Sequence, residues 1–60
     1  MELRLHETVR LLARFPGDER GISTVEGGPR RTASGVEVWL VRPLGLTHAE
    51  WVAEWRLERA

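Results

Sequence analysis

One eight-residue window, Gly35 to Arg42 (GVEVWLVR), concentrates valine, tryptophan and leucine between a glycine and Pro43. Val36, Val38, Trp39 and Val41 favour extended backbone, and alternation sorts the window into two faces. Val36, Val38 and Leu40 fall on one face, with Glu37, Trp39 and Val41 on the other. Both faces are substantially apolar, the pattern of a strand covered on both sides. A single helix covers one face only, so the second requires a further element or another subunit.

Upstream, Ile22 to Glu26 (ISTVE) is a shorter β-branched run. The stretch between the two runs, Gly27 to Gly35, reads GGPRRTASG and is rich in turn residues. The pattern predicts an antiparallel hairpin, about 21–26 with 35–42, joined by a long connector with a mobile tip.

Downstream, Thr47 and Glu50 have the spacing of a capping box, and Leu46 and Trp51 that of a hydrophobic staple. Ala49, Ala53 and Leu57 are helix formers. The pattern predicts a helix from about His48 to Arg59, packed on the hairpin. Trp51 and Trp55, one turn apart, are then core residues. Glu50, Glu54 and Glu58 form an acidic ridge on the same helix, either solvated or paired with arginines such as Arg10 and Arg14.

The first fifteen residues fit two periods. As a helix from Leu5 onward, Leu5, Thr8, Val9, Leu11, Leu12, Ala13 and Phe15 share a broad arc opposite His6, Glu7, Arg10 and Arg14. As a strand, Met1, Leu3, Leu5, Val9, Leu11, Ala13 and Phe15 share one face, with Glu7 the exception. An extended start at residues 2–5 followed by a helix is the favoured reading. A third strand ending in a Phe-Pro-Gly-Asp turn is the alternative. The expected fold class is therefore α+β, one small domain over residues 1–60.

Sixty residues bury only about 60% of the surface of the unfolded chain. Cysteine is absent, which removes disulfides and thiolate metal sites, and the two histidines, His6 and His48, lie far apart. Self-association is the compensation that remains. Nine arginines balance nine acidic residues, so the total charge gives little support to a nucleic-acid or anionic-membrane surface. Asn, Gln, Lys, Cys and Tyr are all missing; loss of the heat-labile types fits a thermophilic protein, whereas loss of lysine does not. The amino terminus has no apolar h-region, and the longest apolar run is Val38 to Val41, so a cytoplasmic protein is expected.

No catalytic signature is present. His48 beside Glu50 lacks a second ligand, Ser23 and Ser34 lack a nucleophile-elbow context, and Asp18-Glu19 sits in a turn. No cofactor is expected. Two functional expectations follow. The leading one is a non-enzymatic interaction module, a homo-oligomer or accessory subunit, with Trp39 and Val41 as candidate interface residues. The alternative is a small nucleic-acid-binding protein that grips anions through Arg30 and Arg31.

Overall fold

A computed structural model describes residues 2–12 and 21–60. Strands β1 (Thr8–Leu11), β2 (Ile22–Arg31), β3 (Glu37–Pro43), β4 (Glu50–Ala53) and β5 (Leu57–Arg59) form one antiparallel sheet, ordered β4-β3-β2-β1-β5. The outermost strands, β4 and β5, are joined by a single 3-10 turn, Glu54–Arg56. In a flat sheet, five strands spaced ~4.8 Å apart would hold these edges about 19 Å from each other. Four chain steps reach at most about 14 Å, and less when wound as a 3-10 turn. The sheet therefore curls, so that the end of β4 and the start of β5 lie closer together than a flat sheet allows.

Alternation fills the interior. Core side chains meet as cross-strand neighbours: Leu57 with Leu11, Val9 with Ser23, Val25 with Val41, and Trp39 with Val52. With Leu3 on the amino-terminal arm, the apolar members make one buried cluster. Such pairs stabilise a sheet through packing rather than through intrinsic strand preference.

The α+β expectation is corrected: the described residues are five strands and no α-helix. The predicted helix from His48 to Arg59 is strand, 3-10 turn and strand. A capping box contributes only ~1 kcal/mol, and a helix cannot bury the two residues that this segment gives to the core. Val52 and Leu57, five positions apart, would lie about 140° apart around a helix of 3.6 residues per turn. As strands they both face inward, and β4 pairs with the edge of β3 that would otherwise be open. Trp51 and Trp55, which the helix would have buried, are 43% and 74% exposed. The acidic ridge disappears with the helix.

The favoured amino-terminal helix is also corrected. The strand alternative holds for Thr8–Leu11, where Val9 and Leu11 are buried, while Leu5 is exposed at a tight turn with His6 at φ 69°. The Phe-Pro-Gly-Asp turn and Arg14 lie outside the described residues.

The connector shrinks as well. Gly27–Arg31 belongs to β2, which is irregular there: the register shifts between Val25 and Gly27 and again between Gly27 and Arg30. Only residues 32–36 link β2 to β3, within the common hairpin range. Thr32 closes this loop. Its N–H donates to the Val36 carbonyl at 2.9 Å, and its Oγ1 accepts from the Val36 N–H at 3.1 Å.

Candidate functional site

The two faces of β3 have different fates. Trp39 and Val41 turn inward and are buried in the chain's own core. Trp39 also spends its one polar group internally: Nε1 donates to Oε2 of Glu54 at 3.0 Å. That bond holds the Glu54 carboxyl below the usual carboxylate range. Neither candidate interface residue presents its side chain on the outer face.

The outer face of β2, β3 and β4 is where apolar surface remains. Register places Leu40 between Gly27 on β2 and Trp51 on β4. In the next row Val38 lies between Arg30 and Ala53. Val36 continues the stripe at the loop and is exposed. Gly27 is open beside Leu40: a Cβ there would sit 3.7 Å from Leu40 Cβ and Cδ2, in ordinary contact. The face is thus aliphatic at its centre, with an indole on one flank and a residue without a side chain on the other.

Arg30 crosses this surface. Its guanidinium carbon lies 4.6 Å from the centroid of the Trp51 ring, so the planar cation rests on the indole. Such a contact at an exposed site is worth about 0.5–1 kcal/mol. Arg31, the other candidate anion contact, diverges from Arg30 because successive strand residues alternate. It faces its register partner Glu37, Nη2 to Oε1 at 3.7 Å. The two arginines that look like one finger in the sequence serve different surfaces.

At the other end of the face, Arg42 binds Glu26 with two hydrogen bonds, Nε to Oε2 at 2.6 Å and Nη2 to Oε1 at 2.9 Å. Its Nη1 donates to the Thr47 carbonyl at 2.8 Å. This bidentate bond lowers the Glu26 carboxyl's pKa and raises that of Arg42.

A cleft of about 680 Å³ opens elsewhere, between the amino-terminal arm, the irregular part of β2 and the end of β5. Leu3, Pro29 and Trp39 line it together with charged groups. Of these, Arg59 is bound to Glu7 at 2.9 Å and Glu37 is paired with Arg31. Among the described residues, no group of three or more His, Asp or Glu gathers to hold a metal ion. None of their helices is long and apolar enough to cross a membrane.

Trp51 is the site residue that sequence reasoning misplaced. Its signal was present as Trp51 and Ala53 alternating with Val52, but a helical period was read over the same residues. No family model, curated protein or solved structure matches the chain.

Proposed function

We propose that the protein is a non-enzymatic interaction module, acting as a homo-oligomer or accessory subunit, with the outer face of β2, β3 and β4 as its contact surface. The supporting observation is Trp51, 43% exposed beside Leu40, Val38 and the guanidinium of Arg30. Tryptophan and arginine around an aliphatic centre are the residue types that dominate binding energy at protein interfaces. A small sheet domain without disulfides gains stability from such an association by mass action. The fold needs no oxidising compartment, which fits a place in the cytoplasm.

Co-purification with a tagged chain tests this reading, scoring untagged copies and other proteins together. Trp51→Ser removes the indole from the face, whereas Leu44→Ser changes a residue in the β3–β4 loop that is 81% exposed. Binding is expected to fall with the first change and to survive the second. Binding that survives Trp51→Ser would overturn the reading.

The nucleic-acid alternative draws on one observation, the guanidinium of Arg30 stacked on the Trp51 indole, an arrangement that also suits bases. The neighbouring arginines weaken it, because Arg31 and Arg42 are already paired with carboxylates. Binding of a single-stranded oligonucleotide that weakens with rising salt, and is lost in Arg30→Ala, would favour it.

A further inference from the structure

Building on the outer face as a contact surface, we infer that its occupant is a second copy of this chain. The two copies lie face to face, strands antiparallel, about a two-fold axis through the Leu40 row. Arg30 of each copy then meets Glu26 of the other.

The placement of charge on the face carries the inference. Glu26 and Arg30 stand on the same strand on either side of Gly27, which pairs with Leu40 at the apolar centre. A two-fold contact presents the same patch twice, in opposite directions. The positive end of one copy therefore falls on the negative end of the other, and this happens at both ends. Gly27 has no side chain to hold the two β2 strands apart. Leu40 and Trp51 meet their own counterparts near the axis.

Both charged groups have capacity to spare. Arg30 rests on an indole, and no carboxylate among the described residues pairs with it, in contrast to Arg31, Arg42 and Arg59. Glu26 accepts two hydrogen bonds from Arg42, although a carboxylate has about four acceptor positions. Its side chain is 31% exposed, so another guanidinium can reach it. The face offers one cation without a carboxylate and one shared anion, which matches a copy of itself better than a strongly acidic or basic partner. A stable contact takes about 800 Å² from each partner, roughly a fifth of the 4233 Å² surface of the chain.

Charge reversal tests the pairing, using Arg30→Glu and Glu26→Arg as separate variants of the full chain. Each alone sets like charges against each other twice per dimer, and its dimer is expected to dissociate about tenfold more readily or worse. Mixed in equal amounts, the two variants restore opposite charges at both ends, so a heterodimer as tight as the native dimer is expected. Circular dichroism melting confirms that each variant is folded. If either variant alone dimerises like the native chain, or folded variants fail to recover when mixed, the arrangement is overturned. A native chain that stays monomeric overturns the second copy as occupant. If Trp51→Ser still abolishes binding of another protein in that case, the contact-surface reading survives without this inference.

Discussion

Trp39 and Glu54 are joined by a hydrogen bond across fifteen residues, from the buried indole N–H to the carboxylate at 3.0 Å. Trp39 belongs to β3, the neighbour of the outermost strand β4, and Glu54 opens the turn that joins β4 to β5. The bond therefore ties the turn that follows β4 back to the neighbouring strand β3. Glu54→Gln retains an acceptor oxygen, whereas Glu54→Ala leaves a buried donor unpaired, at a cost of about 1–3 kcal/mol. The urea midpoint at pH 7 is expected to fall more for alanine than for glutamine. Equal losses would show that the bond adds little.

The same carboxyl, with Glu26, gives the fold a dependence on acid. Both have native pKa values below the ordinary 4.5, Glu54 chiefly through Trp39 and Glu26 chiefly through Arg42. A group with a depressed native pKa contributes its stability fully above the unfolded value. That contribution declines as pH falls through the native pKa. The urea midpoint is expected to drop between pH 6 and pH 3, with a shallower drop in Glu26→Gln/Glu54→Gln. An unchanged slope in the double variant would count against these two groups.

Gly28 and Gly35 both have positive φ, at 110° and 88°, but their surroundings differ. A Cβ at Gly28 would lie 3.2 Å from Trp39 Cα, from the Trp39 ring and from the Val38 carbonyl, two of which are backbone. At Gly35 it would meet nothing within 4 Å. Gly35→Ala is expected to cost about 1 kcal/mol from backbone strain alone, and Gly28→Ala about 2–3 kcal/mol. Chemical denaturation of the two variants checks the order. A reversal would mean that β2 is not packed against Trp39 as described.

Ser23 is buried, and its Oγ has no hydrogen-bond partner among the described residues. It faces Val9 across the sheet in an apolar interior. Removing an unsatisfied hydroxyl relieves a desolvation cost, so Ser23→Ala is expected to be neutral or to stabilise by up to ~1 kcal/mol. A loss greater than 1 kcal/mol would reveal a partner for the hydroxyl.

The strands were legible where alternation was strict, and most of the GVEVWLVR window forms strand β3 as its β-branched residues predict. Which face met the core was not legible. Parity puts Trp39 and Val41 on one face, open to either core or interface, and side-chain parity alone does not tell inside from outside; in the fold both are buried. The carboxy-terminal misreading has a clear cause. Thr47, Glu50 and the Trp51–Trp55 spacing satisfy local helix rules, while the pull on Val52 and Leu57 comes from Trp39 and Leu11, which are distant in sequence. The arginine pair was visible but not its division, because Gly27–Arg31 reads as a connector and is instead part of β2, where successive residues alternate.

The three tryptophans give an optical test of where association occurs. Trp39 is buried, Trp51 borders the proposed contact, and Trp55 lies in the turn after β4. In variants that retain one tryptophan, acrylamide quenching of Trp51 is expected to fall by about half or more as concentration rises, because a residue at an interface centre loses its solvent contact. Trp55 is expected to quench equally at all concentrations. Shielding of Trp55 with Trp51 unchanged would move the contact to the turn.

Sedimentation equilibrium of the native chain and of Trp51→Ser, over a concentration range from about 1 to 500 µM, tests self-association through the outer face most directly; a midpoint in this range corresponds to a Kd of order micromolar. The expected result is a native mass that rises to twice the monomer's 6.9 kDa, while folded Trp51→Ser remains monomeric. A native chain that stays at 6.9 kDa throughout, or a dimer that Trp51→Ser leaves intact, would contradict it.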